Sequence, residues 1–396
     1  MSEKVTRRGY VKYAAAGVVV VAGAAAGAYY ATKPGPTPTT SEIETTEAKT
    51  SLKMAMILEV PENDMGWGEI NKMACEHTVK WFKENRDVDI DLSMSFLIPP
   101  PEFDKQGRVY ADQGYDLIFY PCDGHGPEVT RVANEFKDNP DIHWHVAATV
   151  LDGDIFPKGT PVEELVIPSN LAVTDYIAFT NTYYLMGMIA GAVTKTNKVG
   201  FIGGEEYPSI HRRMRAMQKG VLRSNPSCDV SQYVWVGSWV DVGKGKELAE
   251  AMHEYGCDVI MSYADGPAVG AATYCTEAGP PPYFMGAMFP LQTKFPTSIL
   301  CDGVEYTAAV MCKCVDSILN NTWSDVGGKW SKLGYSKVDP AVAYVVGDYE
   351  TSDVMPMGPL INAQLKSVIP SDALALIDQV KGDIAAGTFK VPEISE

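Results

Sequence analysis

Trp67, Asp123, Trp239 and Asp265 are the side chains of this 396-residue chain whose types and places suit a binding chemistry. Each follows or ends an apolar run. Trp67 comes after KMAMILEV (53–60), Asp123 closes GYDLIFYPCDG (114–124), Trp239 stands in Gly237-Ser238-Trp239 after the run 230–236, and Asp265 closes GCDVIMSYADG (256–266). Two indoles can grip a flat aromatic molecule, because stacked π-systems gain about 0.5–1.5 kcal/mol beyond burial. Two carboxylates can accept from its ring or hydroxyl donors. In the competing reading each tryptophan is core, and each Asp-Gly is a turn whose short side chain bonds the local backbone. Matched placement, more than residue type, favours binding.

The elements that must position these residues repeat. GYDLIFYPCDG and GCDVIMSYADG share Gly, Asp, Ile, Asp and Gly at the same places. Around the first, strand-like runs at 53–60, 92–98 and 141–149 alternate with helical spacing; around the second, runs at 198–202, 230–236 and 283–285 do the same. Such alternation predicts α/β architecture with parallel sheets covered on both faces. The chain also exceeds the comfortable size of one core. The repeat therefore reads as the third strand of two equivalent Rossmann-like lobes, with ligand expected off the carboxyl ends of their strands.

Composition narrows the partners. A net charge of −17 argues against nucleic acid, whose phosphates need basic surfaces. Thr6-Arg7-Arg8-Gly9-Tyr10-Val11-Lys12 precedes an uncharged run at 14–31, so residues 1–32 read as a twin-arginine-type export signal or as a membrane anchor with a basic flank. Cleavage and retention both stay open, and either puts the remainder outside the cytoplasm. Residues 33–51, rich in Pro, Thr and Glu, cannot bury enough surface to order and read as a tether. The eight cysteines suit an oxidising exterior without fixing any pairing.

Tyr184-Leu185-Met186-Gly187-Met188-Ile189-Ala190-Gly191 and the following 194–204, together with Asp64-Met65-Gly66-Trp67, Gly237-Ser238-Trp239, Gly243-Lys244-Gly245-Lys246-Glu247 and Gly387-Thr388-Phe389-Lys390-Val391, resemble the basic membrane protein (PnrA-like) family of ABC-importer substrate-binding proteins. The resemblance runs over 53–392. It implies a type I periplasmic-binding-protein fold with three hinge crossovers, lobe one at 52–176 plus 293–338, and lobe two at 177–292 plus 339–396. It also implies a purine nucleoside or base as ligand, a membrane permease as partner, and no cofactor. In such a family one aromatic from each lobe sandwiches the base, which falls on Trp67 and Trp239 here; Asp265 takes the place of a polar ligand contact, and Asp64 belongs to the first-loop motif. Two departures stand out. Gly286-Ala287-Met288 replaces an Asp-containing ribose motif, and Gly68 replaces the Asn or Thr after the first aromatic. A free base, or another planar ligand such as a flavin, is the alternative guest.

Other chemistries have little support. His143-Trp144-His145 has a spacing metals use, but no third ligand is near in sequence and a surface strand accounts for it. No P-loop, nucleophile elbow or clustered acids of a calcium-dependent nucleoside hydrolase are present. A receptor that delivers solute to a permease is expected first, a sensor of the same fold second, and a secreted nucleoside-cleaving enzyme third.

Overall fold

The computed structural model describes residues 49–122, 125–147, 166–332 and 358–392. The expected signal, the tether up to residue 48 and Asp123 lie outside the described residues.

Twelve strands alternate with nine longer helices among the described residues. The strands are β1 (Ser51–Ile57), β2 (Asp89–Ser95), β3 (Leu117–Tyr120), β4 (His143–Ala147), β5 (Leu171–Asp175), β6 (Lys198–Gly203), β7 (Asp229–Trp235), β8 (Val259–Tyr263), β9 (Tyr283–Met288), β10 (Ile299–Val304), β11 (Lys329–Lys332) and β12 (Gly358–Ile361). The helices are α1 (Trp67–Arg86), α2 (Phe103–Asp112), α3 (Gly126–Glu135), α4 (Ile177–Val193), α5 (Pro208–Ser224), α6 (Val242–Tyr255), α7 (Gly266–Ala278), α8 (Ala308–Leu319) and α9 (Ser371–Ala385). One sheet has the order β2-β1-β3-β4-β5-β11 and is parallel throughout. The other has the order β7-β6-β8-β9-β10-β12, parallel except where β12 runs against β10. The two orders superpose strand for strand, and the duplicated stretches are β3 and β8.

Burial explains the apolar runs. All four residues of β3 and all five of β8 are buried, as a strand covered on both faces requires. Helix α4 is apolar around its circumference and meets α5 almost backbone to backbone: a Cβ on Gly187 would stand 2.1 Å from the Met217 carbonyl oxygen, and one on Gly220 2.0 Å from that of Tyr184. The glycines of the family-like stretch are thus packing contacts.

The chain passes between lobes where β5 ends at Asp175, and α4 then packs on α5 in the second lobe. The expected return at residue 293 is corrected: β10 pairs with β9 in the second sheet, and the chain returns only after it, when α8 packs on α1. Each lobe has a fifth parallel strand, β5 in the first and β10 in the second, beyond the four that the apolar runs mark. The third expected passage, near 339–347, lies outside the described residues. Two ion pairs brace the passages. Arg212 of α5 grips Asp175 at 2.6 and 3.0 Å, and Arg213 stands 3.3 Å from Glu305, which follows β10.

One further expectation changes. The strand carrying His143 and His145 is fully buried, not on the surface. His143 Nδ1 meets the Asp116 carbonyl, while His145 stacks on Phe119 at 4.1 Å and bonds Thr174 through Nε2. The eight cysteines are all buried and none forms a disulfide, in keeping with structural thiols.

Candidate functional site

In a doubly wound sheet the chain splays to opposite faces on either side of its first strand, opening a crevice at the carboxyl ends. Here the loops after β1 and β3 form that crevice in the first lobe, and those after β6, β7 and β8 in the second. One cavity joins them, with about 410 Å³ of space free of atoms, mouth included.

Trp67 enters from the first lobe and Trp239 from the second, both half-buried. A Cβ on Gly204 would lie 2.4 Å from the Trp239 ring, so the indole rests on the loop after β6. Behind it Tyr207 stacks at 6.0 Å with planes 18° apart, and donates its hydroxyl to Glu205 at 3.0 Å. Burial, with Glu205 beside it, raises the Tyr207 phenol and keeps it protonated. The aromatic wall is thereby fixed before any guest arrives.

Asp265 spans the two lobes. Its Oδ1 accepts from the Trp67 backbone N–H at 2.8 Å, which is its only side-chain hydrogen bond among the described residues. The first N–H groups of a helix have no partner within it, and this one is capped from the opposite lobe. A Cβ on Gly66 would lie 2.0 Å from the same oxygen, so the approach needs glycine there. Burial, then the neighbouring Asp64 carboxylate, push the Asp265 pKa well above the ordinary carboxylate range.

Asp64 is not among the lining residues. Its Oδ1 accepts from Gly66 N at 2.8 Å and Glu69 N at 3.1 Å, and its Oδ2 from Gly68 N at 2.9 Å. It shapes the turn into α1. Burial raises its pKa despite those three donors. Asp123 lies outside the described residues.

Several lining residues were not foreseen: Glu59, Cys122, Tyr207, Tyr263 and Met288. Glu59 ends the apolar run of β1 and reads there as a strand terminus; Tyr207 sits in a polar loop and has meaning only beside Trp239. Tyr263 ties the cavity floor to the hinge, donating to Glu305 at 3.0 Å with the Arg213 guanidinium 4.9 Å above its ring. Burial raises Glu59, but the His125 imidazole and Cys122 thiol more than undo this, so its pKa stays below the ordinary value. Among the described residues no Lys or Arg lines the cavity. Asp302, paired in register with Gly286, is also absent from the lining, its Oδ2 accepting from Gln292 N at 3.0 Å.

The model of a family described as ABC transporter substrate-binding protein PnrA-like matches residues 52–290. A purine-binding protein of Brucella abortus (strain 2308) is 24% identical over 221 residues, covering 56% of this chain and 57% of that one. The ABC transporter nucleoside-binding protein BmpA of Lactococcus lactis subsp. cremoris (strain MG1363) is 27% identical over 231 residues, covering 57% and 58%. The chain thus spans little more than half the length of these curated relatives. Among solved structures, an ABC transporter system solute-binding protein from Aeropyrum pernix K1 superposes with a TM-score of 0.67 at 17% identity, over 87% of this chain and 94% of that one. This likeness establishes the type I periplasmic-binding-protein fold. With the family model covering more than half its length, the chain belongs to the PnrA-like family of ABC transporter substrate-binding proteins.

Proposed function

We propose that this protein captures a purine base or nucleoside outside the cytoplasm and presents it to a membrane permease. The reading rests above all on one observation: Trp67 and Trp239, from opposite lobes, line the same cavity. A base between them gains stacking from both sides. Asp265, held protonated, can donate to a ring nitrogen, and ionised Glu59 can accept from an exocyclic amine. The purine-binding and nucleoside-binding relatives point to the same ligand class.

The cavity also restricts the guest. Phosphate groups call for basic partners, and among the described residues the lining offers the acids Glu59 and Asp265 but no Lys or Arg. The guest is therefore unphosphorylated. Closure is a movement about the two braced passages, the guest entering with the lobes apart.

Calorimetry with adenine, guanine, adenosine and guanosine, with product analysis by chromatography, tests the reading. Saturable binding with intact ligand supports it; release of free base from a nucleoside, or no binding of any of the four, overturns it.

A further inference from the structure

The wall of the cavity contributed by the first lobe holds a group of side chains of which the purine reading uses only Glu59. Glu59 follows β1, Cys122 follows β3, and His125 stands immediately before α3. One donor atom from each, an oxygen, a sulfur and a nitrogen, lies within 4.8 Å of the other two. Cys122 Sγ is 2.8 Å from Glu59 Oε2, and His125 Nε2 is 3.4 Å from that same oxygen. His125 is only 4% exposed, its ring held against Phe103 at 4.3 Å, yet its Nε2 makes no hydrogen bond of acceptable geometry.

We infer that Glu59, Cys122 and His125 form a site for a borderline-soft divalent metal ion, zinc being the natural occupant. In tetrahedral zinc sites, bonds of about 2.3 Å to sulfur and 2.0–2.1 Å to nitrogen and oxygen place neighbouring donors about 3.3–3.6 Å apart. The His125–Glu59 edge already has that length. The Cys122–Glu59 edge is shorter because a thiol proton bridges it. Metal binding breaks the S–H bond, forms a metal–sulfur bond and releases the proton to solvent. Thiolate and carboxylate together then balance the charge of the ion, and the thiolate disfavours calcium and magnesium. Three protein ligands leave one position of a tetrahedron open, as in zinc sites that receive an outside ligand. Since Glu59 and Cys122 line the cavity, that position faces the space beside Trp67. A guest with a ring nitrogen can fill it; this last step, unlike the metal site itself, rests on the purine reading.

Cobalt(II) serves as a coloured substitute for zinc. Added to reduced, metal-free wild-type protein, it is expected to give a near-ultraviolet thiolate-to-cobalt band that zinc displaces and that Cys122→Ser abolishes, the seven other cysteines being unchanged. His125→Gln is expected to weaken zinc binding by at least about tenfold, since loss even of outer-shell partners costs 10–100-fold. No band in the wild-type protein, or an equal band in Cys122→Ser, overturns the site. If Cys122→Ser does not fold, the wild-type band and its loss in His125→Gln decide. Adenine, guanine, adenosine and guanosine titrated into zinc-loaded and zinc-free protein keep the two readings apart. A cobalt band with no binding of any of the four in either form upholds the metal site and overturns the receptor reading; binding of one of them without a band does the reverse.

Discussion

The backbone N–H of Trp67 donates to Asp265 Oδ1 at 2.8 Å, joining residues 198 apart in sequence and on opposite lobes. The bond exists only while the lobes are shut, so whatever alters the Asp265 carboxyl alters closure. Burial and Asp64 raise that carboxyl's pKa in the shut form; parting the lobes, which lets water in, is expected to lower it. The closed form thus holds a proton that the open form has lost, and closure strengthens as pH falls through the interval between the two values.

Ligand affinity is therefore expected to decline as pH rises above the ordinary carboxylate range, and Asp265→Asn, which keeps an acceptor without a titrating group, should flatten the profile. Calorimetry from pH 5 to 9 on both proteins measures this. An identical slope in the two would place the titrating group elsewhere.

Trp67→Ala and Trp239→Ala should each weaken purine binding by about 1–3 kcal/mol, the range of buried aromatic anchors. Both indoles are only half-buried, so thermal unfolding should shift little. A large fall in melting temperature with unchanged affinity would make these side chains supports of the fold instead.

Burial raises the Asp302 pKa to about 7, against the help of the Gln292 backbone N–H. The folded protein keeps this proton to near neutrality while the unfolded chain loses it at about pH 4. Stability from this group is thus complete below about pH 4 and drains away up to about pH 7, by roughly 2–4 kcal/mol. Asp302→Asn should remove that slope in urea unfolding measured at pH 5 and pH 8.

Arg213 is 2% exposed and Glu305 0%. Arg213→Met strands a buried carboxylate and should cost about 3–5 kcal/mol, whereas the double variant Arg213→Met with Glu305→Gln should recover much of it. Denaturant midpoints of the two variants decide; equal losses would mean the pair is not coupled.

How much of this was written in the chain can be seen residue by residue. Buried parallel strands are continuous apolar runs, so β1, β3, β6 and β8 stand out, and their duplication discloses two lobes. Strands β5 (LAVTD) and β10 (ILCDGV) carry polar side chains that satisfy themselves only in three dimensions, through Arg212 for Asp175 and Gln292 for Asp302. Nothing in a linear reading marks them as strands. Trp67, Trp239 and Asp265 could be picked out as candidates because each follows the carboxyl end of a strand. Asp64 shared their neighbourhood in sequence, yet its partners are the N–H groups of its own turn. Glu59 and His125 are 66 residues apart and acquire a common purpose only when β1 and β3 lie side by side.

The absence of a side chain at Gly66 has one more consequence. The carboxyl of Asp265 travels to the helix N–H through a gap just wide enough for backbone hydrogen. A methyl group there would hold the two lobes apart at the one point where a side chain of the second reaches the backbone of the first, so the fit between the halves is set by a missing atom.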